Sequence, residues 1–109
     1  EALIDLGKVE MLKNNAESAQ NYFNKVIQKD PINPEAYKYL GILYYKNGNL
    51  DAAEGHLRKA HKLDSYDAET LFNLAEILDK KGNKPEARRY YLEAMKLDPT
   101  LRDAVEKTY

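Results

Sequence analysis

The sequence repeats itself every 34 residues, as Leu6, Leu40 and Leu74 illustrate, and this period constrains the fold more than any other feature. Three units align without gaps. Other columns that keep one kind of residue are Ala19, Ala53 and Ala87; Phe23, Leu57 and Tyr91; Val26, Ala60 and Ala94; and Asp30, Asp64 and Asp98. A period of this length is typical of proteins built from stacked, similar units that bury their apolar faces on one another.

Each unit is predicted to contain two helices joined by a short turn. In unit two, Leu40 and Tyr44 belong to an apolar stripe with helical spacing. Gly48 and Gly82 suit the left-handed residue that ends a helix, and Asn14 takes that place in unit one. The predicted helices span about 1–13, 17–29, 35–47, 51–63, 68–81, 85–97 and 100–108.

Small residues recur where the two helices of a unit are expected to cross. On the first helices they are Gly7, Gly41 and Ala75. On the second helices they are Ala19, Ala53 and Ala87. Two helix backbones approach closely only where neither carries a bulky side chain, so these columns predict tight pairing within each unit.

The composition favours a helical protein and excludes several function classes. Lys and Arg number 17 against 18 Asp and Glu, and this net charge of −1 gives no support for nucleic-acid or anionic-membrane binding. Cysteine is absent, which excludes disulfides, thiolate metal sites and cysteine nucleophiles. No apolar run is long enough for a membrane-spanning helix, and the first residues are not typical of a signal peptide. We therefore expect a cytoplasmic protein.

The residues that could carry chemistry form no catalytic pattern. His56 and His61 are the only histidines, and five positions apart on one helix they cannot share a metal ion as an i, i+4 pair can. The sequence contains no glycine-rich phosphate loop, no nucleophile elbow and no calcium-binding loop. We expect no enzyme activity, no cofactor and no metal site.

These columns resemble the tetratricopeptide-repeat family. Unit two matches the family pattern at Tyr37, Leu40, Gly41, Tyr44, Ala53, Leu57 and Ala60. Unit three matches at Leu71, Leu74, Ala75, Leu78, Ala87, Tyr91, Ala94 and Pro99, and unit one at Leu3, Leu6, Gly7, Ala19, Phe23, Val26 and Pro31. Glu10 and Ser65 depart from the pattern, and no unit has the family's tryptophan.

The resemblance implies an all-α fold, a solenoid of helix-turn-helix repeats wound as a right-handed superhelix. We expect repeats at about 1–33, 34–67 and 68–101 within a single array over 1–109. Residues 102–109 begin a further unit, and we interpret them either as a short capping helix or as the first turns of a longer array.

The resemblance also implies a protein-binding module whose first helices line a concave groove. The groove residues selected for partner binding are Ile4, Lys8, Lys38, Tyr39, Ile42, Tyr45, Phe72, Asn73 and Glu76. The apolar ones lie outside the repeat's core columns, so exposed anchors for a peptide segment are expected there. We expect a partner that brings apolar anchors to unit two and a basic group to unit three.

The family's carboxylate clamp, which holds acidic chaperone tails, is not predicted. Read from unit one, its positions hold Ile4, Lys8, Tyr39, Glu69 and Asn73, none of which matches. Read from unit two, they hold Lys38, Ile42, Asn73, Asp103 and Lys107. There Lys38 and Asn73 match, but Asp103 would repel a carboxylate.

Two further functions remain open at this point. The chain could assemble with copies of itself by stacking end faces, which would make it a homo-oligomer. It could also be part of a larger protein whose activity lies elsewhere.

Overall fold

The structure is a computed structural model that describes residues 2–108. Its elements are α1 (Ala2–Leu12), α2 (Ala16–Lys29), α3 (Pro34–Lys46), α4 (Leu50–Leu63), α5 (Ala68–Lys80), α6 (Lys84–Leu97), a 3₁₀ turn (Pro99–Leu101) and α7 (Arg102–Thr108). Every predicted helix is therefore present within two residues at each end, and the described residues contain no strand. Residues 1 and 109, which begin the predicted first repeat and end the predicted partial one, lie outside the described residues.

The turns within the repeats form as predicted. Gly48 and Gly82 have φ of 83° and 88°, and Asn14 has φ of 64°, so each takes the left-handed conformation that ends the first helix of its unit. The following helix is capped from the turn in unit two, where the Asn49 side chain accepts a hydrogen bond from the amide of Ala52 at 3.2 Å.

The helices pack as three pairs, α1 with α2, α3 with α4 and α5 with α6, and the pairs stack in chain order. The backbones of α1 and α3 approach each other, as do those of α3 and α5. Across residues 2–108, no comparable backbone contact joins α2 to α4 or α4 to α6. Because the first helices lie closer together than the second helices, the stack curves and the first helices line its concave side.

The predicted close crossing within each unit is present. An ideal Cβ on Gly41 would lie 2.6 Å from the Cγ of Leu57 and 3.2 Å from the carbonyl oxygen of Ala53. At Gly7 it would lie 2.5 Å from the ring of Phe23. Leu57 and Phe23 are fully buried, so the glycines allow these large side chains to pack directly on the first helix.

The leucine column of the repeat does not have the same surroundings in all three units. Leu40 and Leu74 are buried, whereas Leu6 is 45 % exposed and Val9 is exposed beside it. This face of the first helix packs against the second helix of the preceding unit in units two and three. In unit one, α1 meets no such helix among the described residues, so an apolar end face remains open.

At the other end of the stack, α7 covers part of α6. Val105 is buried in the same apolar cluster as Tyr91 and Ala94, with Leu101 packed against it. The 3₁₀ turn begins at Pro99, directly after Asp98, whose side chain accepts a hydrogen bond from the amide of Thr100 at 3.1 Å.

Candidate functional site

The concave surface formed by α1, α3 and α5 is the candidate site, and we call it the groove. It carries two small crevices, one between α1 and α3 and one between α3 and α5. The residues lining the first are Lys8, Met11, Leu12, Tyr39 and Lys46, and those lining the second are Tyr45, Glu76, Asp79, Lys80 and Tyr91. We refer to these as the basic pocket and the acidic pocket.

The basic pocket has a volume of about 150 Å³ and an aromatic wall. Tyr39 stacks on the buried ring of Phe23 with centroids 5.7 Å apart, so its position is held by the core. The Nζ of Lys8 lies 5.2 Å from the centroid of the Tyr39 ring, in cation–π distance. Lys8 and Lys46 are exposed, and neither forms an ion pair with a described residue. Their charges are therefore open to a ligand.

The acidic pocket has a volume of about 160 Å³ and lies one helix further along the groove. Burial raises the pKa of Glu76, and the nearby charge of Lys80 only partly offsets this effect. Burial also raises the pKa of the Tyr45 hydroxyl, with a further contribution from the charges of Glu76 and Asp79. Asp79 forms an ion pair with Lys84, whereas no described residue forms a hydrogen bond or ion pair with the Glu76 carboxylate. Glu76 is thus a partly buried anion without a direct partner.

The remaining predicted anchors lie between and beside these pockets. Ile42 is partly buried on α3, and Phe72 is partly buried on α5 with its ring edge-on to Tyr91 at a centroid distance of 5.4 Å. Asn73 donates a hydrogen bond from Nδ2 to the carbonyl oxygen of Glu69 at 3.0 Å. Tyr91, which the repeat pattern assigns to the core, is buried but reaches the wall of the acidic pocket, a role that no sequence signal indicates.

Lys38 is not available as a groove residue, which corrects that prediction. It is only 7 % exposed, and its ammonium group donates hydrogen bonds to Asp67 at 2.9 Å and Glu69 at 3.0 Å. Burial alone would lower the pKa of Lys38, but the two carboxylates raise it well above its ordinary value. Lys38 therefore joins α3 to the start of α5, and its charge is already neutralised within the protein.

The prediction that Ile4 lines the groove is also wrong. It is 5 % exposed and belongs to an apolar cluster with Val26 and Ala36. Ile4 therefore fills the junction between units one and two. Its neighbours in this cluster come from α2 and α3, so its own helical position could not reveal the burial.

Larger crevices exist outside the groove, and they are also lined by charged side chains, Arg88 and Glu106 in one and Glu93 and Lys96 in the other. One of about 320 Å³ lies between α6 and α7, against Leu92, Met95 and Val105. Another of about 360 Å³ lies between α4 and α6, against His61 and Tyr66. In the groove, two aromatic rings pack on buried rings, Tyr39 on Phe23 and Phe72 on Tyr91, and charged side chains of both signs line neighbouring pockets.

The histidines have structural surroundings. His56 stacks on Tyr44 at a centroid distance of 5.1 Å, with its Nδ1 2.8 Å from the carbonyl oxygen of Ala52. His61 lies edge-on to Tyr90 at 5.8 Å. Within residues 2–108, no group of three His, Asp or Glu side chains could hold a metal ion, and no helix is both long and apolar enough to span a bilayer.

Comparison with known families matches the whole repeat region. A tetratricopeptide-repeat family model matches residues 33–100, and a second model of the same description matches residues 1–33. Among curated protein sequences, none matches the chain.

Several solved structures share the fold. MamA aligns over 89 % of this chain and 57 % of its own, with 26 % identity and a TM-score of 0.82. The Thermobaculum terrenum O-GlcNAc transferase (K341M mutant) aligns over 90 % of this chain and 19 % of its own, with 28 % identity and a TM-score of 0.86. The chain thus spans about half or less of the length of these two proteins.

The first tetratricopeptide domain of Spaghetti (RPAP3), bound to an HSP90 peptide, aligns over 97 % of this chain and 86 % of its own. The identity is 17 % and the TM-score is 0.89, so this likeness concerns the fold. With the helix pairs, the turns and the crossings described above, these matches lead to one conclusion: the chain belongs to the tetratricopeptide-repeat family.

Proposed function

We propose that this chain is a protein-interaction module that binds an extended segment of a partner protein in its groove, without catalysis of its own. The observation that carries the proposal is a row of partly buried apolar side chains across the concave side, flanked by charges that the fold leaves open. The row consists of Tyr39, Ile42, Tyr45 and Phe72. A fold of stacked helices does not need large aromatic residues at these places, whereas a binding surface does.

The aromatic anchors are held rigidly, which favours binding. Tyr39 rests on Phe23, and Phe72 rests on Tyr91, and both supporting rings are buried. Side chains that are already ordered lose little conformational entropy when a ligand arrives. Such preorganised aromatic residues account for much of the binding energy in many interfaces.

The charge pattern favours a protein segment over a nucleic acid. Lys8 and Lys46 lie at one end of the row, but Glu76 and Asp79 lie at the other. A phosphate backbone needs a continuous basic track, so the acidic end would repel it.

The solved neighbours support a peptide as the ligand of the groove. The residues of this chain, however, argue against the acidic chaperone tails that a carboxylate clamp holds. The two domains of Spaghetti (RPAP3) are described as bound to the HSP90 peptide SRMEEVD. In this chain, the two residues that match a carboxylate clamp are Lys38 and Asn73, and both are hydrogen-bonded to the protein's own groups. We therefore propose an internal segment with apolar anchors as the ligand.

Charged substitutions of the anchors test this proposal. We expect the variant Tyr39→Glu, Ile42→Glu, Phe72→Glu to lose at least about 100-fold in affinity, because several central anchors are removed together. Peptides are first enriched on the intact chain from a random display library, and the best is then titrated by fluorescence anisotropy. Circular dichroism must show unchanged helicity.

The matched control adds the same three charges on exposed positions outside the groove, as Ser18→Glu, Asn24→Glu and Ser65→Glu. We expect this control to bind like the intact chain. Equal binding by both variants, or a failure of the intact chain to enrich any peptide, would contradict the proposal.

Self-association through the end faces is the second candidate, and one observation favours it. Leu6, Val9 and Leu12 form an exposed apolar face on α1, and Leu12 is 83 % exposed. The charges, however, count against stacking of copies head to tail. At the junction of units two and three, Lys81 pairs with Asp51 and Glu54.

A head-to-tail contact between two copies would replace these pairs with a repulsion. In such a contact, unit one of one copy would follow unit three of the other. The 34-residue register would then put Lys13 in the place of Lys81 and Arg88 in the place of Glu54, so two positive charges would face each other. We therefore expect the chain to sediment as a monomer in analytical ultracentrifugation, with a sedimentation coefficient that does not increase with concentration. A concentration-dependent dimer would instead favour self-assembly, and the variant Leu6→Lys, Val9→Lys would then show whether α1 forms the contact.

A further inference from the structure

We infer that the groove recognises an order of charges in its ligand: an acidic side chain enters the basic pocket, and a basic side chain about three residues away meets Glu76 in the acidic pocket. This inference rests on the proposed function. It adds the orientation of the ligand along the array and the spacing of its charged residues.

The basic pocket suits a carboxylate side chain. Lys8 and Lys46 come from two different helices and face the same crevice, which has Tyr39 as its wall. No described carboxylate forms an ion pair with either lysine, and the space that both of them line is large enough for one short side chain. An acidic residue there could accept hydrogen bonds from both lysines.

The acidic pocket suits a cation. Glu76 is partly buried against Tyr45 and Tyr91, and its carboxylate has no hydrogen-bond partner among the described residues. A ligand lysine or arginine would supply the missing partner and could pack its aliphatic stem on the two rings. Lys80 is exposed and influences Glu76 only through its charge.

The spacing follows from the helix packing. The two pockets lie in successive crevices, α1–α3 and α3–α5, and both involve the last turns of these helices. Packed helices lie about 8–10 Å apart. A polyproline II segment returns to the same side every three residues and advances about 9 Å in doing so. The two residues between the charges would then cross α3 at Ile42 and Tyr45, which are apolar.

Selection from the random peptide library tests the inference directly. On the intact chain, we expect enriched peptides to carry an acidic and a basic residue separated by two others, with apolar residues between them. On the variant Lys8→Glu, Lys46→Glu, the acidic preference should disappear. On Glu76→Gln, the basic preference should disappear while the acidic one remains.

A matched control reverses two positive charges elsewhere. Lys29 and Lys62 lie in the last turns of α2 and α4, are exposed, and form no ion pair with a described residue. The variant Lys29→Glu, Lys62→Glu has the same net charge as the pocket variant, and it should select the same peptides as the intact chain. Thermal unfolding of all variants identifies any that fail to fold.

The best enriched peptide is then synthesised beside a version in which its acidic and basic residues are exchanged. We expect the exchange to weaken binding about tenfold, because each charge would meet a like charge. Exchange without effect, or selection of apolar peptides with no charge order, would overturn this inference and leave the proposed function standing. If nothing is enriched, both fail.

Discussion

Replacement of Lys38 by methionine is expected to lower the free energy of unfolding by about 2 kcal/mol. The methionine fills most of the same space, but Asp67 and Glu69 lose the cation that neutralises them. Because the Lys38 side chain is only 9 % exposed and that of Asp67 is 26 % exposed, the Asp67 carboxylate cannot fully recover its hydration, whereas the more exposed Glu69 can recover most of it. The loss should be measured by urea unfolding followed by circular dichroism.

The same interaction gives the stability a defined pH dependence. Burial would raise the pKa of Asp67, but the hydrogen bonds and charge of Lys38, together with the Thr70 hydroxyl, hold it below its ordinary value. A lowered pKa in the folded state contributes stability above the unfolded pKa of about 4, and this stability is lost as the pH falls through the folded value. The gap between the intact chain and Lys38→Met should therefore narrow below about pH 4.

Lys81→Met is the matched control for Lys38→Met. Lys81 also pairs with two carboxylates across the junction of units two and three, Asp51 and Glu54, but its own side chain is 33 % exposed and that of Asp51 is 89 % exposed. Exposed ion pairs contribute little, so the control should change the stability much less than Lys38→Met does. Equal effects of the two substitutions would show that burial does not set the contribution of Lys38.

The substitutions Gly41→Ala and Gly55→Ala are expected to change stability in opposite directions. At Gly41, the new methyl group would meet Leu57 at 2.6 Å, so the two helices must separate. Overpacking of this kind costs about 1–3 kcal/mol, and the gain of about 1 kcal/mol in helix propensity offsets only part of it. We expect a net loss of up to about 2 kcal/mol.

Gly55, like Gly41, is a glycine inside a helix, but its surroundings are open. A Cβ there meets no atom within 4 Å, and the residue lies inside α4. Gly55→Ala should therefore stabilise the protein by about 0.5–1 kcal/mol through helix propensity alone. Urea unfolding of the two variants checks both signs, and a stabilising Gly41→Ala would mean that the crossing of α3 and α4 has room to adjust.

The secondary structure could be predicted from the sequence because its causes are local. Helical spacing, a left-handed residue at Asn14, Gly48 and Gly82, and prolines after Asp30 and Asp98 all act within a few residues. The repeat strengthened these signals because the helical spacing and the left-handed residue occur in all three units, and the proline occurs in two of them. The small residues at Gly7 and Gly41 could be interpreted for the same reason, since their columns recur in register with the small residues of the second helices.

The sequence could predict which surface carries the site, but not which residues of that surface are accessible. The register of the first helices indicated Tyr39, Ile42, Tyr45 and Phe72 as groove residues. It could not separate them from Lys38, which occupies a similar position but is neutralised by Asp67 and Glu69, 29 and 31 residues further along the chain.

The sequence by itself determined the repeat, its helices, its turns and its close crossings, since these follow from neighbouring residues and from a strict period. Only the tertiary structure decided which residues of that pattern remain accessible. Ile4 is buried, Leu6 is exposed, and Glu76 has no hydrogen bond or ion pair with a described residue, because of the side chains that adjacent helices place beside each position. Burial and charge pairing depend on contacts between units, and a helix's own periodicity does not encode them.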